Sequence, residues 1–300
     1  MVQKLAWAGR RADGLRRILM NEPRGHADLG GAVLTEAVEP GADAGVLFMD
    51  GSGFRPLSGH GIMAVTTIAL ERGLLLPGDP RRVVFDTALG TVRAQVERHG
   101  AAVARVVVSG VPSFVFRPGI DLLLPGRRLR ADVAFGGGFY AIVDAESAGV
   151  PVDGAHLGEL RRTGMSIAAA VDAALDLQHP LAEAPSRLAG VIFTAPPRED
   201  GAALRSAVVR PDGTVERSPS GTGTAAIMAV LDAMGLLPDA MPFVHESVIG
   251  QLFEGRVGGR TRVGETEAIV PEIAGRAAVT GDHTFVVADD DPLPEGFRLS

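Results

Sequence analysis

The chain has 300 residues, 46% of them apolar and 22% charged, which is enough length and hydrophobicity for one large or two ordinary domains and excludes a disordered chain. Its 29 lysines and arginines face 36 aspartates and glutamates, a formal charge of −7 with no basic run, so nucleic acid and anionic membrane are excluded as partners. With no cysteine anywhere, disulfides, thiolate metal sites and thiol catalysis are excluded together.

The N-terminal stretch lacks the apolar core of a signal peptide, and no run approaches the roughly 20 apolar residues of a membrane span. A soluble, cytoplasmic protein is the expectation. Residues 1–20, arginine-rich with a Leu15, Ile18, Leu19 cluster, predict a short amphipathic helix or an extended arm. The loop Asn21-Glu22-Pro23-Arg24-Gly25-His26 follows, in which Glu22 and Arg24 read most simply as a surface turn. Strands are predicted from Ala32 to Val38 and Gly45 to Met49, around a Pro40-Gly41 turn, then from Arg82 to Thr87, Thr91 to Glu97 and Val103 to Ser109.

Val111-Pro112-Ser113-Phe114 and Arg117-Pro118-Gly119 read as a crossing between two halves. Beyond it come strands at Leu129 to Phe135 and Phe139 to Asp144, a helix from about Val152 to Leu177, strands at Val191 to Thr194 and Ser206 to Arg210, and short strands with glycine turns from Phe243 to Ala288. Gly136-Gly137-Gly138 requires a tight turn or a close backbone approach, because successive glycines weaken a strand without adding packing.

One stretch occurs twice. Ser58-Gly59-His60-Gly61 opens an apolar helical pattern ending at Gly73-Leu74-Leu75, and Ser220-Gly221-Thr222-Gly223 opens another ending at Gly235-Leu236-Leu237, in register without a gap. Serine is a favoured N-cap and glycine a favoured stop, so each copy predicts a capped helix. A single S-G-x-G is only that. A matched pair predicts a duplicated fold, in which two helix N-termini could each present free N–H groups to one anion, a carboxylate as readily as a phosphate.

The seven histidines are scattered and none pairs with another at i, i+4, so no metal site is expected. Gly221-Thr222-Gly223-Thr224 lacks the lysine of a phosphate-binding loop, which argues against nucleotide binding. There remain Ser58, His60, Glu216 and Ser220 around an anion site, a set suited to abstracting a proton next to a carboxylate. Serine is a weak base, so Ser58 needs the helix terminus or His60 beside it. The simpler alternatives are a helix-start histidine bonded to backbone and a solvated turn carboxylate at Glu216.

At these residues the sequence resembles the proline racemase superfamily, which includes proline racemases, 4-hydroxyproline epimerases and trans-3-hydroxyproline dehydratases. Arg55-Pro56-Leu57-Ser58-Gly59-His60-Gly61 resembles the family's M-C-G-H-G segment, and Arg217-Ser218-Pro219-Ser220-Gly221-Thr222-Gly223-Thr224 its R-S-P-C-G-T-G-T segment. Glu22-Pro23-Arg24-Gly25-His26, Val111-Pro112-Ser113-Phe114, Gly136-Gly137-Gly138-Phe139-Tyr140-Ala141, His245-Glu246-Ser247-Val248-Ile249-Gly250 and Gly281-Asp282-His283-Thr284-Phe285 are similar as well, in family order.

The resemblance implies an α/β (α+β), diaminopimelate-epimerase-like fold with two pseudo-symmetric halves, each a central helix wrapped by β-strands, and the active site in the cleft. The expected halves are 1–116 with about 284–300, carrying the Ser58 helix, and 117–283, carrying the Ser220 helix. It implies Ser58 and Ser220 as the acid/base pair with His60, and Gly59, His60, Gly61, Glu216, Gly221 and Thr222 as substrate-binding residues. A small amino or imino acid is the expected partner, with no cofactor, no metal and a homodimer as the family's assembly.

The chain departs from the family pattern in several ways. The early H-T-x-G-x-P segment is absent, as though the chain began some tens of residues late; Leu57-Ser58 stands for Met-Cys; both acid/base positions are serine; and Glu216 stands where aspartate is common near the ring nitrogen. Racemisation needs a competent group on both faces of Cα, whereas dehydration needs one base and an exit for the β-hydroxyl. The expected reaction is therefore dehydration of trans-3-hydroxy-L-proline or a close analogue to pyrroline-2-carboxylate. The alternatives are a proline or 4-hydroxyproline racemase or epimerase, and an imino-acid-binding homologue impaired in catalysis, including a racemase whose two cysteines were changed to serine.

Overall fold

The computed structural model of the chain describes residues 1–181, 185–237 and 242–298. Contacts divide the chain into two compact units, Met1–Val108 with Arg276–Ser300, and Ser109–Gly275. Both divisions fall about eight residues before the expected ones. The reason lies in pairing: Ser113 exchanges backbone hydrogen bonds with Ile269 at 2.7 and 2.9 Å, which ties the stretch after residue 109 to the second unit. The last two residues of the expected 284–300 return lie outside the described residues.

The first unit opens with two helices, α1 (Val2–Arg11) and α2 (Asp13–Met20), where the sequence allowed one helix or an arm. The break is at Ala12, whose φ of −117° and ψ of 8° leave the helical region. The strands are β1 (Gly30–Thr35), β2 (Ala44–Asp50), β3 (Gly53–Arg55), β4 (Arg82–Thr87), β5 (Gly90–His99) and β6 (Ala102–Ser109), with helix α3 (Gly59–Glu71) between β3 and β4. Their order is β1-β2-β4-β5-β6, with β3 paired to β2. All pairs are antiparallel except β2 with β4. A parallel pair needs a crossover, and α3 supplies it.

α3 is apolar nearly all round, as a buried helix must be: Ile62, Met63, Val65, Thr66, Thr67 and Ala69 are buried. Its two buried threonines satisfy their hydroxyls locally, Thr66 donating to the Ile62 carbonyl at 2.6 Å and Thr67 to that of Met63 at 3.0 Å. The C-terminal return packs on the loop at residues 21–24. Glu22 and Phe297 exchange backbone hydrogen bonds, and Arg24 pairs with Asp291 at 2.5 Å. Arg24 is therefore engaged in this contact, its side chain only 10% exposed, and is not a free surface residue.

The second unit runs β7 (Phe114–Leu124), β8 (Arg127–Phe135), β9 (Phe139–Asp144), α4 (Leu157–Ala174), β10 (Leu188–Ala195), β11 (Leu204–Val209), α5 (Gly221–Ala233), β12 (Phe243–Ser247), β13 (Leu252–Val263) and β14 (Thr266–Gly275). Its spatial order within the unit is the sequence order. Only β9 with β10 and β11 with β12 are parallel, and these are the two connections that contain helices. The sequence repeat is thus a structural one: β2-α3-β4 in the first unit and β11-α5-β12 in the second are each strand, S-G-x-G helix, parallel strand.

Helices cover both faces of this sheet, so its strands are apolar at successive positions, as two-sided burial demands. In β9 Phe139, Ala141 and Val143 join one core, while Tyr140 and Ile142 join the other. β10 and β11 divide in the same way, Val191, Phe193, Ala207 and Val209 against Ile192 and Val208. The first core holds Leu160, Ile167 and Val171 of α4, and the second holds Ala226, Ile227, Met228 and Val230 of α5. Fully burying a side chain such as Phe193 or Ile192 contributes about 1.5–3 kcal/mol.

β7 corrects the expected crossing. Pro118 cannot donate to a ladder, but β7 is the outer strand of this unit's order, and the register shift there takes up Pro118-Gly119. Gly119 has φ 58° and donates its N–H to Asp132 Oδ1 at 2.7 Å. The expected short strands after Phe243 are instead one short and two long ones, and residues 276–288 form neither helix nor strand.

Candidate active site

Each S-G-x-G copy makes a capped helix terminus. At α3, Ser58 has extended backbone (φ −143°, ψ 113°), and its Oγ accepts from the Gly61 N–H at 3.2 Å. Ile62 N–H bonds the Ser58 carbonyl, which leaves the Gly59 and His60 N–H groups without an acceptor among the described residues. A side chain at position 61 would meet Phe48 Cε1 at 2.7 Å and Ser58 at 2.8 Å, so glycine is required there. His60 Nε2 lies 3.5 Å from Ser58 Oγ, and both residues are half-buried. The structure thus brings together Ser58, Gly59, His60 and Gly61 as an imidazole, a hydroxyl and two free N–H groups.

At α5, the Ser220 Oγ accepts from the Gly223 N–H at 3.3 Å, and Thr224 N–H takes the Ser220 carbonyl at 2.8 Å. Gly221 and Thr222 N–H groups are the two left over. Two features set this terminus apart from the first. Ser220 is only 2% exposed, and its φ is 63° with ψ 117°, the one positive φ outside glycine among the described residues.

Such a backbone costs about 1–3 kcal/mol and persists only where the surroundings impose it. Ser220→Gly should therefore stabilise the protein by about 1 kcal/mol, since glycine accepts positive φ and serves as an N-cap at little loss. Calorimetry should show a melting temperature up by about 2 °C. A clear fall would mean that the Ser220 conformation carries no strain.

Gly136-Gly137-Gly138 forms the close approach its composition predicted. A Cβ on Gly136 would lie 2.2 Å from the Thr222 carbonyl and 2.5 Å from the Ala226 nitrogen, so only glycine lets the β8–β9 turn abut the first turn of α5. That turn delivers Tyr140, whose hydroxyl lies 2.7 Å from Thr222 Oγ1. Burial pushes the Tyr140 phenol up to about 12, the Glu216 charge adds to the rise, and hydrogen bonds with Thr222 and Ser220 oppose it. Tyr140 therefore stays a neutral phenol at physiological pH.

Glu216 sits on the return strand of a hairpin that extends β11. Val209 and Val215 pair across it, and Glu216 N–H donates to the Val208 carbonyl at 2.9 Å. Its Oε1 accepts from Arg210 Nε at 3.1 Å, while its buried Oε2 has no partner among the described residues. With a side chain only 9% exposed, it is no solvated turn carboxylate. The Tyr140 phenol is bonded to Thr222 and feels the Glu216 charge. That phenol, Arg210 and the buried His245 had not been assigned roles from the sequence, although Tyr140 and His245 lie inside recognised motifs.

Among the described residues no group of three or more histidines or carboxylates is placed to hold a metal ion. No helix among them is long and apolar enough to cross a membrane.

Comparison with known proteins extends these local features to the whole chain. A family model described as proline racemase matches residues 1–298. A trans-3-hydroxy-L-proline dehydratase of Bacillus cereus is 38% identical over 299 residues, 99% of this chain and 90% of that protein. A 4-hydroxyproline 2-epimerase of Brucella anthropi is 38% identical over 305 residues, 100% of this chain and 90% of that protein. Among solved structures, a hydroxyproline epimerase from Agrobacterium vitis with bound trans-4-hydroxy-L-proline superposes with a TM-score of 0.86 at 31% identity, covering 99% of this chain and 87% of that one. The fold is accordingly the α/β, diaminopimelate-epimerase-like one that the motifs implied. A family match across residues 1–298, relatives aligned over the whole chain and two S-G-x-G helices at equivalent crossovers lead to one assignment: this chain belongs to the proline racemase family.

Proposed function

We propose that the protein is a hydro-lyase that removes water from trans-3-hydroxy-L-proline or a close cyclic imino acid. In this reading the free N–H groups of Gly59, His60, Gly221 and Thr222 hold the substrate carboxylate, with charge stabilisation from the helix termini. Ser58, assisted by His60, takes the Cα proton. The electron pair left at Cα forms the Cα–Cβ double bond as the β-hydroxyl departs, aided by Ser220 or Glu216. Water and a pyrroline-2-carboxylate result. Glu216 Oε2 also offers an acceptor to the imino nitrogen.

The observation that carries this reading is the inequality of the two serines. Ser58 has an imidazole 3.5 Å away and is half-buried, whereas Ser220 is only 2% exposed, and its Oγ accepts from the Gly223 N–H with no imidazole or other base bonded to it among the described residues. One assisted base and one weak partner suit elimination. Racemisation asks both groups to exchange protons at comparable rates. The dehydratase relative supports this reading, and the epimerase relative at equal identity supports epimerisation as the second.

Proton NMR in deuterated water, with trans-3-hydroxy-L-proline, L-proline and trans-4-hydroxy-L-proline supplied separately, distinguishes them. The expected result is loss of the 3-hydroxy substrate with appearance of pyrroline-2-carboxylate. Deuterium at Cα with the ring intact would replace the lyase by an epimerase. No change with any of the three would favour a binding protein.

A further inference from the structure

Something must hold Ser220 at φ 63°, and the structure contains a buried chain of side chains that ends on its carbonyl. Thr224 Oγ1 lies 2.7 Å from the Ser220 carbonyl and 2.8 Å from His245 Nδ1, and His245 Nε2 lies 2.8 Å from Ser206 Oγ. Thr224 and His245 are wholly inaccessible and Ser206 nearly so, so none of the three can meet a substrate.

Counting protons along this chain fixes its direction. A carbonyl only accepts, so the single Thr224 hydroxyl proton goes to Ser220. Thr224 Oγ1 must then accept from His245, which places the imidazole proton on Nδ1. The bare Nε2 accepts from the Ser206 hydroxyl. Each group in the chain is satisfied by one tautomer, as a buried polar network requires. A second proton on the ring would leave Nε2–H facing the Ser206 hydroxyl proton and would charge a site that burial keeps neutral.

We infer that His245 is a positioning residue for Ser220: through the Thr224 hydroxyl it locks the Ser220 carbonyl and so holds the Ser220 hydroxyl at its working position on the α5 terminus. The inference rests on the reading of Ser220 as an acid/base group. Losing the Thr224 hydroxyl leaves the carbonyl held by the Thr224 N–H alone and lets residue 220 relax towards ordinary backbone, which moves its side chain. Misplacement by about 1 Å is enough to cost about 10²-fold in rate.

The test compares Ser220→Ala, Thr224→Val, Thr224→Ser and Ser206→Ala for kcat and KM on the substrate turned over by the wild type. It adds imidazole ¹⁵N NMR of His245 in the wild type and in Thr224→Val. The expected pattern is a fall in kcat of at least tenfold for Thr224→Val with KM within about twofold, recovery of most of the rate in Thr224→Ser, and a several-fold fall for Ser206→Ala. The wild-type imidazole should be the neutral Nδ1–H tautomer. Ser206→Ala lies farthest from α5 and serves if Thr224→Val does not fold. Wild-type kcat in Thr224→Val and Ser206→Ala beside an impaired Ser220→Ala would overturn the inference and leave the reading of Ser220 intact. An unimpaired Ser220→Ala would overturn that reading, and with it the catalytic side of the inference. An Nε2–H tautomer would overturn the network itself, whatever the kinetics.

Discussion

Ser58→Ala is expected to slow loss of the Cα proton from trans-3-hydroxy-L-proline by about 10²–10⁴-fold, the usual contribution of a positioned general base, with KM little changed. KM should hold because the substrate carboxylate is assigned to backbone N–H groups that alanine leaves in place. Losing the N-cap oxygen costs about 1 kcal/mol of stability, so folding should survive. Cysteine at the same position tests the chemistry from the other side. A thiol has a reference pKa of about 8.5, and a helix N-terminus lowers it further, so Ser58→Cys presents a far stronger base than a hydroxyl. Faster elimination in that variant, followed by deuterium NMR, would support Ser58 as the base. Strong racemisation in Ser58→Cys with Ser220→Cys would instead identify the natural pair as a disabled two-base site. A Ser58→Ala enzyme at wild-type rate would remove Ser58 from the mechanism.

What the sequence disclosed and what it concealed follow from the range of the forces involved. β4 and β9 lie at their expected limits because each is a β-branched or aromatic run closed by a local turn. The two helix starts were legible for the same reason: an N-cap serine and close-packed glycines act within four residues. β7 was hidden because Pro118 and Gly119 usually end a strand, and only its place at the outside of the unit makes them tolerable. The ion pair of Arg24 depends on Asp291, distant in sequence and unpredictable from local pattern. Likewise the strained Ser220, the phenol of Tyr140 on Thr222 and the imidazole behind Thr224 arise where separate strands meet one helix turn. Motif similarity marked these residues, but tertiary contacts gave them their chemistry.

His245 should also make the protein acid-sensitive well above the range in which its carboxylates titrate. Burial holds the folded imidazole at about 3, against an ordinary value of 6.5. Between those values the unfolded chain binds a proton that the folded chain refuses, so stability falls as the pH falls through this window. The slope approaches 1.36 kcal/mol per pH unit, and the whole effect is on the order of 5 kcal/mol. Asp50 acts lower down: burial would raise it, but hydrogen bonds from Ser52 and Arg55 outweigh burial and bring it to about 2, so its contribution is lost only below its ordinary 3.8. His179, lowered by burial, acts in the same direction as His245, whereas the exposed His156, raised by Asp153, acts in the opposite one. A variant is therefore needed to isolate His245. His245→Asn keeps a donor near the Nδ1 position without a titrating group. It should start less stable at pH 8 and then lose less than the wild type between pH 6.5 and 4.5, as read from denaturant midpoints. Parallel curves for the two proteins would show that the buried imidazole does not couple to folding, because a group that resists protonation only in the folded state must leave its slope in the difference.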